Sequence, residues 1–295
     1  MKVRVKAGLA LVSVCALALS ACGSNSLGGS GNSAAPSTKV SVNADLAAKL
    51  PAKIKSAGEI VVGTDATYAP NEFLDTDGKT VIGMDVDLFD AVAAKFGVKV
   101  EWQPSKFDPI IVGVEGGKFD MGVSSFTIND KRKQQVNMVS YFSAGTEWAT
   151  QAGNPKKVDP NNACGLKVAV QSKTVQEEED LPVRQAKCGK NKINILPFSG
   201  QDQATSAVVS GRADAMLADS PVVSYAVKQS GGKLEAVGEI YDAAPYGYVI
   251  KKDQTEFANA IVEALKELDA EGSYKAALSK WGLENGAISD FAVNP

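Results

Sequence analysis

One short stretch of the sequence carries residue types that bind anions. Three hydroxyls and one guanidinium fall within the nine residues 124–132, at Ser124, Ser125, Thr127 and Arg132. An arginine binds a carboxylate through two parallel hydrogen bonds, and hydroxyl groups add further donors. The stretch therefore predicts a carboxylate receptor. The alternative is a solvated Lys-Arg helix start after a serine-rich loop.

The elements around this stretch would direct its polar groups into one space. Residues 117–120 indicate a turn and residues 121–123 a short buried strand, so the hydroxyls would project from the carboxyl end of that strand. Asn129 or Asp130 would cap a helix that carries Arg132 in its first turn. The free N–H groups of that turn and the guanidinium would then face the same ligand.

Composition excludes several classes of function. The 295 residues have a formal net charge of −3, which gives no basic face for nucleic acid. Histidine is absent, so the commonest general base and any imidazole metal site are excluded. The cysteines lack metal-ligand spacing, and no Walker or dinucleotide glycine fingerprint occurs. We therefore expect no metal and no cofactor.

The N-terminal region predicts export and anchoring. Residues 1–21 have a basic start and an apolar stretch too short to span a bilayer, as in a secretory signal peptide. Residues 19–22, Leu-Ser-Ala-Cys, resemble the bacterial lipobox, which implies lipidation of Cys22. The alternative is an ordinary signal whose cleavage site ends in Cys. Residues 22–56 are expected to form a lipid-anchored flexible tether, because Gly, Ser, Asn, Ala and Pro dominate as far as about Ser41.

Export also permits a disulfide bond. Cys15 would leave with the leader and Cys22 would be acylated, which leaves Cys164 and Cys188 as the remaining pair. We predict that these two are bonded to each other.

The rest of the chain reads as two series of alternating strands and helices. The first series has strands at 59–63, 98–102 and 121–123, a helix at 84–96, and a second helix from Pro109 capped by Asp108. The second has strands at 166–170 and 193–196 and an acidic helix start at 177–179. Residues 211–220 then repeat the pattern of residues 117–125, displaced by 94 positions. These alternations predict an α/β fold with two similar lobes and with ligands at the carboxyl ends of parallel strands.

Six ordered motifs carry a resemblance to a known family. They are residues 62–70, 83–88, 117–120, 127–132, 218–220 and 272–274. With them, the chain from about Glu59 to Trp281 resembles the family 3 solute-binding proteins of ABC importers, the polar amino-acid receptors. The resemblance implies a two-lobed periplasmic-binding-protein fold of type II with two crossover strands as a hinge, near 145–150 and 242–246. Lobe 1 would comprise residues 57–146 and 244–295, and lobe 2 residues 147–243.

The resemblance also implies roles for individual residues. Arg132 would bind the ligand α-carboxylate, with help from Thr127, Ser125 and the N–H of Val175, and Asp219 would bind the α-ammonium. Tyr68 and Phe107 would sandwich the ligand side chain, with Asp65 near its far end. The full expected set is Asp65, Tyr68, Phe107, Ser124, Ser125, Thr127, Arg132, Thr174, Val175, Gln176 and Asp219. The alternatives are a strand-end cap for Asp219 and core packing for the two aromatic residues.

The expected function is that of an extracytoplasmic receptor that delivers a polar or cationic L-amino acid to a membrane permease, without chemistry. It would be a monomer on the outer face of the bacterial cell membrane. The sequence departs from the family pattern at Asn71, Met84, Lys106 and Lys173, which bears on side-chain specificity; an inward-turned Lys106 or Lys173 would favour an acidic ligand. One alternative function is a cleft enzyme on the same fold, of cyclohexadienyl dehydratase type. Another is an extracellular sensor module, which would need a spanning helix after the fold.

Overall fold

The computed structural model describes residues 40–295. The strands are β1 Glu59–Thr64, β2 Thr67–Tyr68, β3 Glu72–Leu74, β4 Val81–Ile82, β5 Lys99–Pro104, β6 Met121–Gly122, β7 Val136–Gln151, β8 Lys167–Gln171, β9 Asn194–Phe198, β10 Ala215–Asp219 and β11 Leu234–Lys251. The helices are α1 Ala44–Ala48, α2 Ala52–Ala57, α3 Met84–Lys95, α4 Ile110–Glu115, α5 Asp130–Gln135, α6 Leu181–Ala186, α7 Gln201–Val209, α8 Ser220–Gln229, α9 Thr255–Ala270 and α10 Ser273–Trp281. A π-helical segment spans Gln176–Asp180, and a 3₁₀ turn spans Glu284–Gly286.

Eight strands form one mixed sheet that runs through both lobes. Its order is β5-β1-β6-β11-β7-β10-β8-β9. Strand β1 pairs in parallel with β5 and β6 at one end, and β8 pairs in parallel with β9 and β10 at the other. The predicted two-lobed α/β fold is confirmed.

Two long antiparallel strands, β7 and β11, join the two halves of this sheet. Their pairing is interrupted by register shifts between Val237 and Tyr241 and between Tyr241 and Ala244. The crossings expected near 145–150 and 242–246 fall within these strands. Because each strand carries the chain through both lobes, the two lobes are connected at the centre of the sheet.

Separate cores support the two ends of the sheet. At the lobe 1 end, α3 and α9 pack over β1 through a buried cluster that includes Phe89, Tyr248 and Leu265. At the lobe 2 end, two clusters lie on opposite faces of β10, one around Met216 and the other around Leu217. Adjacent residues of β10 face different clusters because side chains alternate along a strand.

The structure corrects the end of the predicted tether. Residues 22–56 were expected to be flexible, but α1 and α2 occupy 44–57, and Leu46, Leu50 and Ile54 are buried in the lobe 1 core. Leu46 and Ile54 lie on the two helices and Leu50 lies between them, and all three side chains pack against lobe 1. The predicted signal peptide and Cys22 lie outside the described residues.

Two predicted helix starts also differ. Pro109, and not Asp108, is the N-cap of α4, and no side chain caps that helix. The acidic start at Glu177–Glu179 lies within the π-helical segment, and α6 begins only at Leu181. The predicted cap of α5 is present, since Asn129 Oδ1 accepts the N–H of Arg132 at 2.9 Å.

The small sheet β2-β3-β4 was not predicted, because its strands have only two or three residues each. The predicted disulfide between Cys164 and Cys188 is confirmed. Among the helices of residues 40–295, none is both long and apolar enough to cross a membrane.

Candidate functional site

A narrow cavity lies between the two lobes, at the carboxyl ends of β1, β6, β8 and β10. All eleven residues expected at a ligand site line it, together with Glu72 and Gln171. Residues from both lobes contribute, so the site exists only when the lobes are in contact.

Arg132 forms the cationic part of the cavity wall. Its Nη1 donates to the carbonyl of Thr127 at 2.7 Å, and its Nη2 donates to the carbonyl of Lys173 across the cleft at 3.1 Å. The guanidinium carbon lies 5.5 Å from the ring centres of both Phe107 and Phe126. Burial lowers the pKa of Arg132, and the charge of Asp219 opposes that effect. The guanidinium is therefore fixed in place and retains further N–H groups for an anion.

Asp219 ends β10 and forms the anionic part of the wall in lobe 2. It occupies the N-cap position of α8, but its side chain makes no capping bond. Its carboxylate instead accepts bonds of 2.8 Å from the Tyr68 hydroxyl, the Tyr246 hydroxyl and Gln176 Nε2. Burial raises the pKa of Asp219, although these three donors oppose the rise. The alternative role as a strand-end cap is thus not what the geometry shows.

Asp65 provides a second carboxylate on the lobe 1 side. Its Oδ2 accepts the N–H of Phe107 at 2.9 Å and Nε2 of Gln171 at 2.8 Å, and its Oδ1 accepts the Thr67 hydroxyl at 2.7 Å. Burial raises the pKa of Asp65 to about 6, although the bonds from Thr67 and Phe107 oppose the rise. The contact with Gln171 crosses the cleft, so closure completes this group's hydrogen bonding.

Tyr68 and Phe107 are buried but belong to different packing environments. Tyr68 is 5% exposed and packs against a cluster that is otherwise in lobe 2, while its hydroxyl reaches Asp219. Phe107 stacks on Phe126 with the ring centres 4.6 Å apart. Each ring therefore has fixed support behind it and lines the cavity as well.

The hydroxyls of Ser124 and Ser125 differ from the simple expectation of free donors. Both contact the buried carboxyl of Glu72, at 3.0 and 3.1 Å. Of the three hydroxyl residues in the stretch 124–132, only Thr127 has no such contact with Glu72. The two serines thus connect the cavity to a second layer of polar groups.

The two lysines that could turn toward an acidic ligand do not do so. Lys106 is exposed, and the Nζ of exposed Lys173 lies 3.2 Å from Glu178. Neither residue lines the cavity. A second lysine, Lys131 of lobe 1, also pairs with Glu178 of lobe 2, so an ion pair joins the lobes at the rim.

Three residues of the site were missed from the sequence. Gln171 is the last residue of β8, and Tyr246 lies in the middle of β11. Glu72 begins a three-residue strand, and no pattern around it marks a buried acid. Gln171 follows three apolar residues of β8, and this polar strand end was the available signal.

The sequence is similar to those of known bacterial binding proteins. Residues 60–284 match the profile of the bacterial extracellular solute-binding proteins, family 3. The arginine-binding protein ArgT of Corynebacterium glutamicum is 36% identical over 253 residues, which cover 85% of this chain and 83% of that protein.

Solved structures of amino acid-binding proteins are also similar to this chain. An ancestral arginine-binding protein bound to arginine matches with a TM-score of 0.72 and 34% identity over 76% of this chain and 98% of that chain. The ancestral amino acid-binding protein AncCDT-1, a precursor of cyclohexadienyl dehydratase, matches with a TM-score of 0.70 and 35% identity over 78% of this chain and 97% of that chain.

Proposed function

The chain belongs to the bacterial extracellular solute-binding proteins of family 3, and on that premise we propose that it is the receptor of an ABC importer for a cationic L-amino acid, with arginine as the preferred ligand. Lysine and glutamine are the next candidates. The receptor captures the amino acid between its lobes and presents it to a membrane permease.

The charges that line the cavity carry this proposal. Among the groups assigned to the ligand, Arg132 provides one positive charge, and Asp219 and Asp65 provide two negative charges. The carboxyl of Glu72, which also lines the cavity, is hydrogen-bonded to Ser124 and Ser125. An arginine ligand has the complementary set, with one carboxylate, one ammonium and one guanidinium. A zwitterion with a neutral side chain would bring no positive charge to the second carboxylate, and an acidic ligand would face repulsion from it.

The expected roles of the individual residues remain part of this proposal. Arg132 binds the α-carboxylate and Asp219 the α-ammonium, while Tyr68 and Phe107 flank the side chain and Asp65 receives its cationic end. The known relatives support the ligand class, since ArgT is an arginine-binding protein and AncCDT-1 is an amino acid-binding protein.

We also propose the lobe limits and the mode of attachment. Lobe 1 comprises residues 57–146 and 244–295, extended at its start by α1 and α2, and lobe 2 comprises residues 147–243. Lipid on Cys22 holds a monomeric receptor at the outer face of the membrane. Mass spectrometry of the membrane-extracted protein tests the acylation.

The cleft enzyme is the less favoured function. The cavity holds two aspartates that can exchange protons, but the curated relatives that match are named for binding and not for turnover. Binding without any change in the ligand, measured by chromatography after prolonged incubation, is the expected outcome.

A calorimetric titration with arginine, lysine, glutamine, glutamate and leucine tests the ligand class. Arginine is expected to bind most tightly, and glutamate is expected not to bind. Tightest binding of glutamate or leucine would refute the charge assignment. A matched control is Glu101→Gln, which neutralises an exposed carboxylate on β5, outside the cavity, and should leave every affinity unchanged.

A further inference from the structure

Two buried carboxyl groups lie directly behind the Ser124–Ser125 turn. Glu72 on β3 and Asp85 in the first turn of α3 are both 0% exposed. Among residues 40–295, neither takes part in an ion pair. The titratable groups that face them are Asp65, Tyr68, Tyr141 and Tyr248, and none of these is a cation.

Within residues 40–295, the hydrogen bonds around Glu72 and Asp85 leave one carboxyl oxygen without a donor. Glu72 accepts the hydroxyls of Ser124 and Ser125, one on each oxygen. Asp85 Oδ2 accepts the N–H of Ser125 at 3.0 Å and the Tyr141 hydroxyl at 2.7 Å. Asp85 Oδ1 is buried and receives no N–H or hydroxyl donor from the described residues.

A proton between the two carboxyls accounts for this arrangement. The two carboxyls meet at the Ser125 hydroxyl, whose oxygen lies 3.1 Å from Glu72 Oε2 and 3.3 Å from Asp85 Oδ2. Two carboxylates that flank one hydroxyl, out of water and without a cation, do not both ionise, so one of them carries a proton. Burial raises the pKa of Asp85 to about 6, and burial together with the Asp85 charge raises the pKa of Glu72 well above its usual range.

The pair acts on the part of the chain that lines the cavity. Ser125 is a non-glycine residue at φ +50°, a conformation that costs free energy unless its surroundings hold it. Its N–H bond to Asp85 supplies that restraint. Ser124 is held by Glu72, and its hydroxyl oxygen accepts the N–H of Asp65 at 2.9 Å. One layer of carboxyls thus fixes both serines and the start of the Asp65 loop.

We propose that Glu72 and Asp85 are positioning residues for ligand binding, and that a single proton shared between their carboxyls allows them to hold the Ser124–Ser125 turn in its binding conformation. With one proton, the pair carries a single negative charge instead of two, which limits the repulsion that it adds beside Asp65. Only the binding part of the test rests on the proposed function.

Infrared spectroscopy of the purified protein tests the shared proton directly. At neutral pH the wild type should show the carbonyl stretch of a buried protonated carboxylic acid, and Glu72→Gln should lack it. The exposed-site control Glu101→Gln should retain the band. A wild-type spectrum identical to that of Glu72→Gln in this region would overturn the shared proton.

Titration with arginine tests the positioning role. Glu72→Gln keeps one acceptor oxygen for the Ser124 hydroxyl, and the Ser125 hydroxyl can donate instead to Asp85 Oδ2, 3.3 Å away. Its affinity should therefore stay within about threefold of wild type. Glu72→Met has similar length but offers no carboxyl or amide oxygen, so the Ser124 hydroxyl loses its buried acceptor and the affinity should fall about tenfold or more. Circular dichroism verifies that each variant is folded.

The outcomes separate the two proposals. A Glu72→Met variant that is folded and binds like wild type would refute the positioning role, as would a Glu72→Gln variant that loses binding as severely as Glu72→Met. If wild type binds none of arginine, lysine and glutamine, the proposed function fails, and the infrared band still decides whether the proton is shared.

Discussion

Neutralising Asp65 should reduce arginine affinity far more than glutamine affinity. The substitution Asp65→Asn is well suited to the site, because an amide oxygen can accept the N–H of Phe107 and Nε2 of Gln171 as Oδ2 does now. The amide nitrogen can then donate to the Thr67 hydroxyl, which reverses the present bond. The variant therefore changes charge with little change in packing.

The expected magnitude follows from the loss of one charge-assisted contact. Hydrogen bonds to charged groups contribute about 1.5–3 kcal/mol, so arginine affinity should fall by roughly 10- to 150-fold. Glutamine offers an amide in place of the guanidinium, and its affinity should change by about threefold or less. The ratio of the two affinities isolates Asp65, since both ligands share the α-carboxylate and α-ammonium contacts.

The pH dependence of ligand affinity gives a second test of the role of Asp65. With a pKa of about 6, Asp65 is mostly ionised at pH 7 and mostly protonated at pH 5. The arginine-to-glutamine affinity ratio of the wild type should therefore fall by about tenfold between pH 7 and pH 5. In Asp65→Asn the ratio should not change with pH.

The stability of the unliganded protein should fall as the pH rises, whereas the arginine-to-glutamine affinity ratio rises with pH. The folded-state pKa of Asp65 is raised from 3.8 to about 6, so its contribution to stability is complete below about pH 3.8 and is lost as the pH rises through 6. At pH 7 this penalty is up to about 3 kcal/mol. Asp65→Asn should thus gain stability relative to wild type as the pH rises from 4 to 7.

Calorimetric titrations at pH 5, 6, 7 and 8, with thermal melts of the unliganded proteins, measure all of these quantities. Glu101→Gln serves as the control for loss of a carboxylate outside the cavity. An arginine-to-glutamine ratio that does not change with pH in the wild type would refute the role of Asp65. Equal losses of both ligands in Asp65→Asn would show instead that Asp65 acts only through packing.

Three further substitutions test the remaining groups. Arg132→Lys should weaken binding at least about tenfold, because an ammonium cannot reproduce the guanidinium's planar fork; unchanged affinity in a titration would show that Arg132 is not the carboxylate ligand. Asp219→Asn should cause a comparable loss for arginine and glutamine alike, and a loss confined to arginine would contradict its assignment to the α-ammonium. Replacing Cys164 and Cys188 by Ser should lower stability by about 3 kcal/mol for a loop closed over 24 positions. Denaturant unfolding measures that change, and equal stabilities would show that the bond does not stabilise the fold.

The sequence determined those features that depend on neighbours along the chain. Asn129 caps the helix of Arg132 because a cap reaches an N–H three residues ahead, a spacing that is visible in the sequence. The strand-helix alternation predicted the α/β fold, since apolar periodicity reports local structure directly. The resemblance to a family supplied roles for residues such as Tyr68, Phe107 and Asp219, which no local pattern assigns.

Tertiary structure decided the contacts between groups far apart in the chain. Gln171 reaches Asp65 across 106 positions, and Glu72 reaches Ser124 across 52. The first contact exists only because two lobes dock, and the second because β3 lies behind the turn after β6. The packing of Leu46 likewise followed from the lobe 1 surface and not from the composition of the preceding segment. Such contacts carry no local periodicity, because they are set by how the lobes and their strands pack together.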